Sequence, residues 1–334
     1  MKKVYFAGLL ILVVSHQAMA LETSANLGVD FNYSLSRYGA SNEDSDLATK
    51  NNASKFHIGA SAEDGDVRAI LYYERDASND GSNAEGVREF YAGLEKTQYG
   101  QLLFGRKSSD YKLAGAALDP FGDTSVAGID GKFSNVGASY GLSNLTNGST
   151  PNTIAYRSPD RAGFTANIDT YIDDRTGGQE KHDYGGGIHY AFEGQNAGAG
   201  IQYLRLNGAE VAGAPGTGSA YRVHASWAYA PYKLGASYEI LNLDEITTSE
   251  KYIFIAGSYV LCSGTTLAVS FGNTSGTPFD GNGITVGAFH EIFPRLSLYL
   301  AGRNVWLESG DKTNTIATGI RFSFEADIPV PLSK

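Results

Sequence analysis

The stretch NTIAYRSPDRAGFTANIDTYI (Asn152–Ile172) joins two alternating segments through a short polar turn. In its second segment one face carries Phe164, Ala166, Ile168 and Ile172, and the other carries Thr165, Asn167, Asp169 and Tyr171. A period of two places successive side chains on opposite faces of a β-strand. The intervening Pro159-Asp160-Arg161-Ala162 has the composition of a turn. The stretch therefore predicts an antiparallel hairpin whose strands have one apolar and one polar face.

The same alternation recurs along the rest of the chain. It is seen in YRVHASWAY (Tyr221–Tyr229), LAVSF (Leu267–Phe271) and TIATGIRFSF (Thr315–Phe324). Short turns such as Cys262-Ser263-Gly264 separate some segments, and longer polar loops such as Gly39–Asn52 separate others. Counting these hairpins predicts about sixteen strands of about 8–12 residues, the length that crosses an outer membrane at a tilt.

Two kinds of β protein share this alternation, because it does not tell the inside of a sheet from the outside. One is a soluble sandwich or barrel, and the other is a bacterial outer-membrane barrel with short turns at one end and long loops at the other. Aromatic residues near strand ends suit the two membrane interfaces. Charges on the polar face can line a water-filled lumen, whereas unpaired charges in a packed core are prohibitive. The charges on this face include Lys55, Arg68, Arg157, Arg222 and Arg321. The sequence therefore predicts an all-β fold, a 16-stranded antiparallel transmembrane β-barrel.

The first twenty residues, MKKVYFAGLLILVVSHQAMA, have the pattern of a secretory signal peptide. Lys2 and Lys3 precede an apolar run, Val4–Val14, that is too short to span a membrane as a helix. Ala18-Met19-Ala20 is a small-x-small cleavage signal. We therefore expect residues 1–20 to be removed on export and residues 21–334 to form the barrel.

Composition excludes several classes of function. The chain has 26 Lys and Arg against 36 Asp and Glu, a formal net charge of −10, so a nucleic-acid partner is not expected. Cys262 is the single cysteine, which excludes an intrachain disulfide and a cysteine metal cluster. The histidines are dispersed and no ligand motif is present, so we expect no metal and no cofactor.

The alternation of apolar and polar residues is interrupted between Ser108 and Pro151, a span too long for an ordinary connection between strands. Asp110 and the seven residues that follow it predict a short helical turn, with Ser109 as its cap and its end before Pro120. Within AALDPFGDT (Ala116–Thr124), two aspartates flank a Pro-Phe-Gly bend. A charged lip on an aqueous path and an exposed turn carboxylate are both consistent with Asp119 in this setting.

Three blocks of this region resemble the Gram-negative general porin family. They are VREFYAGLEKTQYGQLLFGRK (Val87–Lys107), ALDPFGDT in the long break, and NTIAYRSPDRAGFTANIDTY (Asn152–Tyr171). The first has the R-x-x-x-x-G-L strand and a strand ending in F-G-R, and the last has Y-R-S-P leading into A-G-F. The resemblance implies a homotrimer of sixteen-stranded barrels in the outer membrane of a Gram-negative bacterium. It also implies that loop three, which holds the second block, folds inward and constricts the pore.

The resemblance further implies which side chains line the constriction. Its acidic residues on loop three are Asp119, Asp123 and, more weakly matched, Asp110 and Asp130. Its basic residues on the barrel wall are Arg88, Arg157 and, in SKFHIGA, Lys55. Opposed clusters of charge across a narrow neck set the ion preference of a channel.

The expected function is a water-filled channel for passive diffusion of small hydrophilic solutes and ions, with a mild cation preference and no enzymatic activity. Its expected partners are a homotrimer, outer-membrane lipid and lipopolysaccharide, and the diffusing solutes. Two alternatives remain. One is a substrate-specific channel for oligosaccharides or anions. The other is a barrel hydrolase, which needs a serine, a histidine and an orienting group to meet in space.

The C-terminus departs from the family pattern, in which an aromatic residue closes the last strand. Here the last strand is expected to end at Phe324, followed by EADIPVPLSK as a tail (residues 325–334). Pro329 and Pro331 are expected to prevent the strand from continuing. The tail either weakens the match to the family's assembly signal or is a periplasmic extension that meets the N-terminal strand or another partner.

Overall fold

The computed structural model describes residues 22–40, 43–77, 86–127, 140–172, 181–208, 211–212, 214, 216–261, 264–277 and 279–329. The expected signal peptide and Asp130 lie outside these residues. The regular elements are β1 (Glu22–Ala40), β2 (Glu43–Asn51), β3 (Lys55–Asp64), β4 (Val67–Asp76), β5 (Val87–Lys96), β6 (Gly100–Lys107), α1 (Asp110–Ala116), a 3₁₀ turn (Asn144–Thr146), β7 (Thr150–Arg157), β8 (Phe164–Ile172), β9 (His182–Phe192), β10 (Ala197–Leu206), β11 (Gly218–Tyr229), β12 (Tyr232–Leu243), β13 (Glu250–Val260), β14 (Thr265–Ser275), β15 (Gly281–Phe293), β16 (Leu296–Leu307) and β17 (Lys312–Pro329).

The strands form one closed antiparallel sheet. Neighbours in sequence pair with each other from β3 to β17, and β17 pairs with β1 to close the ring. Both β2 and β3 pair with β1, so they are two halves of one strand interrupted at residues 52–54. The barrel therefore has the sixteen strands predicted from the sequence. Closure leaves no unpaired sheet edge within the membrane, where unpaired backbone groups are costly. No helix among the described residues has the length and hydropathy needed to span a membrane.

The two faces of the barrel differ in chemistry. Exposed apolar side chains occupy alternate positions, among them Ile201, Val223, Ile255, Val286, Leu300 and Ile316. Buried polar side chains occupy the positions between, among them Gln202, Arg222, Glu239, Ser270, Thr285 and Thr315. The apolar set faces outward toward lipid and the polar set faces inward, the reverse of a soluble barrel. The faces predicted for Tyr221–Tyr229 and Thr315–Phe324 are confirmed.

Two expectations about strand ends are wrong. Gly39–Asn52 is not a loop, because β1 runs to Ala40 and β2 pairs back along it. The last strand also passes Phe324 and reaches Pro329, which lies opposite Ser24 of β1. Pro329 is tolerated because it is the final residue of the strand, where its missing N–H interrupts nothing further along the ladder. The expected tail therefore begins as strand and meets the N-terminal strand.

The connection between β6 and β7 packs against the polar face of the barrel through small apolar clusters. Tyr111 and Leu145 join one cluster on β8 to β13, and Phe121 and Val126 join another on β14 to β17. Leu118 and Leu142 fill a third cluster with Phe254 and Ala256 of β13. Burial of these apolar side chains holds the described parts of the connection against the wall.

Candidate functional site: charges on the inner wall

The three basic residues expected on the wall lie on alternate strands along one side of the barrel. Lys55 is the first residue of β3, Arg88 lies in β5 and Arg157 is the last residue of β7. Lys55 lies opposite Asp30 of β1 on one side and Asp76 of β4 on the other, and it contacts the buried, inward-facing Glu74. The register therefore sets acidic partners beside this lysine on the wall itself.

Lys55 and Arg88 share one carboxylate, that of Glu74 on β4. Lys55 Nζ lies 3.1 Å from Glu74 Oε2, and Arg88 Nε donates to Glu74 Oε1 at 2.9 Å. Arg88 Nη1 also donates to Asp76 Oδ1 at 2.9 Å, and Lys55 Nζ lies 4.0 Å from Asp30 Oδ2. The Glu74 side chain is only 6% exposed, so this pairing is shielded from solvent. The wall thus supplies its own acids to the two basic groups.

Arg157 does meet one of the expected loop acids. Its Nη2 donates to Asp110 Oδ1 at 3.0 Å, and Lys107 Nζ lies 3.6 Å from the same oxygen. Asp110 is buried, whereas the Arg157 side chain is 55% exposed. Asp110 is also the first residue of α1, whose Ser109 cap accepts a hydrogen bond from the Lys112 amide as predicted. The pair therefore ties the start of the helix to β7 while the guanidinium remains in water.

Asp119 occupies a tight turn. Its Oδ1 accepts a hydrogen bond from the Phe121 amide at 2.9 Å, which is the geometry of an Asx turn. It lines a cavity of about 580 Å³ together with Arg321 of β17, and neither Arg88 nor Arg157 is part of that lining. Asp119 therefore shapes the bend, and the arginine that shares its cavity is Arg321.

Asp123 is the acidic residue of the bend that faces open solvent. Its backbone is left-handed, with φ 56°, and its carbonyl accepts a hydrogen bond from the Asn32 amide group. Its exposed carboxylate makes no hydrogen bond or ion pair with any described residue. It lines a cavity of about 270 Å³ with Lys55 and Arg321. The field of this carboxylate therefore acts on the water between the bend and the wall.

Lys112 is a charged residue of the connection that the sequence analysis did not select. Its Nζ donates to Ser108 Oγ at 2.9 Å, and its side chain is half-buried on α1. Burial and the positive charge of Arg88 lower the pKa of the Lys112 ammonium. Its position beside the charged residues of the wall depends on the fold, which brings α1 close to β5.

A buried ion pair on the opposite wall holds both ends of the connection. Arg222 Nη2 of β11 lies 2.7 Å from Glu239 Oε2 of β12, with 0% and 1% of the two side chains exposed. The Tyr111 hydroxyl donates to Glu239 Oε1 at 2.8 Å, and the Ser143 hydroxyl donates to the same atom at 2.6 Å. Arg222 also donates to the Tyr111 carbonyl and stacks over its ring at 4.4 Å. The Glu239 carboxylate thus anchors both the segment that follows β6 and the segment that leads into β7.

The middle of the connection is held by further hydrogen bonds from the wall. Arg303 Nη1 of β16 donates to the Ala127 carbonyl at 2.8 Å, and Arg321 donates to the Gly122 carbonyl. The hydroxyl groups of Ser34 on β1 and Ser125 are hydrogen-bonded to each other at 2.6 Å. Because carbonyls inside a folded segment need donors, Arg303 and Arg321 satisfy two carbonyls of a backbone that forms no regular element there.

The sequence placed Arg222 and Arg321 on the polar face but gave no sign of their partners. Glu74 and Glu239 were missed because their roles depend on registers between strands. Among the described residues, no group of three or more His, Cys, Asp or Glu side chains is arranged to hold a metal ion.

A closed sixteen-stranded barrel with an apolar exterior and a charged inner wall defines an outer-membrane channel. The sequence profile of the Gram-negative porin family matches residues 8–308, and the chain belongs to that family. It is a multi-pass β-barrel of the outer membrane that serves passive diffusion, and its family and fold point to a channel. No curated protein matches its sequence significantly.

Solved structures share the fold at low sequence identity. The anion-selective porin of Comamonas acidovorans is 19% identical, with a TM-score of 0.73 over 91% of this chain and 100% of that one. The OmpF of Salmonella typhi, in complex with daunomycin, is 16% identical, with a TM-score of 0.63 over 91% and 97%. A trimer form of the outer-membrane protein OmpT of Vibrio cholerae is 13% identical, with a TM-score of 0.65 over 91% and 100%.

Proposed function

We propose that the β6–β7 connection lies inside the barrel and narrows its water path to the side lined by β3 to β7. The observation that carries this proposal is the set of its contacts. At its start the connection contacts Glu89 of β5 and Arg157 of β7. Beyond that point its contacts fall on the polar face from β8 round to β1, through Glu239, Arg303, Arg321 and Ser34. The charges of β3, β4 and β5 then border the remaining opening.

The charges around this opening favour a mild preference for cations. Lys55 and Arg88 are matched by Glu74, Asp76 and Asp30, so the wall cluster has one more acid than base. Asp123 adds an exposed carboxylate, whereas the exposed Arg157 is paired with Asp110. An exposed carboxylate without an ion-pair partner among the described residues, beside a wall cluster with more acids than bases, raises the local concentration of cations at a narrow aqueous neck.

Deletion of Ala114–Thr124 tests the neck directly. The purified protein, inserted in a planar bilayer, is expected to conduct ions, and the deletion is expected to raise its single-channel conductance. In a salt gradient, the reversal potential of the unaltered channel is also expected to have the sign of a cation-selective channel. An unchanged conductance after the deletion would show that the connection does not limit the path.

We propose a homotrimer as the assembled form, with outer-membrane lipid and lipopolysaccharide around its apolar exterior. The trimer form of OmpT, which shares the fold, supports this assembly. The exposed apolar face supports contact with lipid and with neighbouring barrels. Chemical cross-linking in outer-membrane vesicles, read on an unheated gel, is expected to give a trimer band. A monomer band alone would oppose the proposed assembly.

A further inference from the structure

Three inward-facing aromatic rings form a row on β3, β4 and β5. The ring of His57 lies 5.7 Å from that of Tyr72, with 28° between their planes, and the ring of Tyr72 lies 5.2 Å from that of Tyr91, at 25°. The row is close to the wall, since the His57 ring covers Gly28, where any Cβ would overlap it. Each ring is half-buried and so keeps part of its surface toward the lumen.

Polar groups border this row on both sides. On one side the Tyr72 hydroxyl donates to Glu74 Oε2 at 2.9 Å, which places the row directly beside the charged wall cluster. On the other side, toward the β3–β4 turn, Arg68 lies 4.0 Å from Glu95, and both side chains are well exposed. The row therefore lies between two sets of hydrogen-bonding groups.

Tyr91 lines two cavities at once. One, of about 300 Å³, is also lined by Tyr72, Asn26 and Arg68. The other, of about 180 Å³, is also lined by Gln101 and Arg157. A solute seated on Tyr72 and Tyr91 would therefore find amide and guanidinium donors in both adjoining cavities.

This combination suits a sugar ring better than an ion or a hydrocarbon. A pyranose has a C–H face that packs on an aromatic ring and hydroxyl edges that bind carboxylate, amide and guanidinium groups. A simple ion has no apolar face, and a hydrocarbon chain leaves the bordering polar groups without partners. We propose that His57, Tyr72 and Tyr91 form a subsite for the sugar rings of neutral oligosaccharides that diffuse through the channel. The subsite deepens the proposed diffusion function and rests on it.

The test uses maltotriose as the probe, with the full-length protein in planar bilayers. Maltotriose is expected to reduce the ion current saturably, with brief interruptions of single channels. Tyr72→Ala and Tyr91→Ala are each expected to weaken this binding by about two- to tenfold. Tyr72→Phe keeps the ring and is expected to retain binding.

Tyr73→Ala is the matched control, because Tyr73 is the next residue on β4 and packs outward against Phe90 at 5.8 Å. It is expected to leave maltotriose binding unchanged, and polyethylene glycol of similar mass is expected to give no saturable block. A conducting channel that maltotriose does not block would overturn the subsite and leave the diffusion function intact. Equal binding by Tyr72→Ala, Tyr91→Ala and the parent would also overturn it. A protein that inserts and carries no ion current would instead oppose the diffusion function.

Discussion

Asp119 and Asp123 lie four residues apart, yet their carboxylates have different surroundings. That of Asp119 accepts a hydrogen bond from the Phe121 amide within the bend. That of Asp123 is exposed beside Lys55 and Arg321 and is bonded to none of the described residues. A charge in open water acts on passing ions, whereas a carboxylate held by its own turn mainly shapes the backbone.

Asp123→Asn is therefore expected to shift ion preference toward anions, lowering the cation-to-anion permeability ratio by about two- to fivefold. Asp119→Asn is expected to shift it less. The reversal potential of single channels in a salt gradient measures both. The reverse order of effects would mean that Asp119, and not Asp123, faces the conducting path.

Lys112 predicts a dependence on pH. Its lowered pKa means that it loses its proton at a lower pH than an ordinary lysine, whose pKa is about 10.4. As the pH rises from about 7 toward the pKa of an ordinary lysine, the Lys112 ammonium loses its proton and the neck loses one positive charge. The preference of the channel for cations is then expected to increase. Reversal potentials measured across this range give the profile.

Lys112→Met is expected to remove the alkaline rise in cation preference. Lys251→Met serves as the control, because Lys251 is exposed on β13 and lies on the opposite face of that strand from the inward Tyr252. It is expected to leave the profile unchanged. A profile that persists in Lys112→Met would assign the titration to another group.

At the residue level, the sequence predicted the face on which a side chain lies better than the residue with which it pairs. Alternation is a local property, so it correctly placed Arg157 and Arg222 on the inner face. The sharing of Glu74 between Lys55 and Arg88 depends on the registers of three strands. No local pattern encodes these registers, and so the acids of the wall could not be found.

At the level of elements, the position of α1 depends on the buried ion pair of Arg222 and Glu239, which binds Tyr111 of the helix. Glu239→Gln leaves Arg222 as an uncompensated charge among apolar side chains, and breaking a buried pair of this kind costs about 3–5 kcal/mol. The barrel ladders do not involve this side chain, so the barrel is expected to remain folded while the connection loosens. Single-channel recordings are expected to show a noisier open state of higher conductance.

Asp244→Asn is the matched control for the buried pair. Asp244 pairs with Arg205 at 3.0 Å, and both side chains are substantially exposed. Exposed pairs contribute about 0–1 kcal/mol, so the open state is expected to stay quiet. Equal noise in the two variants would remove the special role given to Glu239.

The sequence predicted α1 well because the signals for it are local. Ser109 caps the helix, and the helix ends before Pro120 as expected. The break between β2 and β3 was not predicted. It depends on residues 52–54 packing inside the barrel, where the Asn52 amide donates to Ser34 Oγ at 2.8 Å.

For the whole molecule, the end of β17 contributes to closure of the barrel. Residues 325–329 pair with Ser24–Gly28, beyond the last partner that β16 offers to β17. Removal of residues 325–334 is expected to lower the temperature at which the barrel unfolds, read as the loss of the compact band on an unheated gel. Removal of residues 330–334 alone is expected to have no effect. Equal melting of the two truncations would show that the added pairs contribute nothing.

The attachments of the β6–β7 connection also have a mechanical consequence. They reach β11 and β12 through Arg222 and Glu239, β16 through Arg303, and β1 through Ser34. A hollow cylinder held at points spread around its circumference resists flattening into an ellipse, because flattening would have to separate those points from the brace. With the connection in its proposed place inside the barrel, we expect the cross-section to be buffered against lateral pressure from the surrounding membrane.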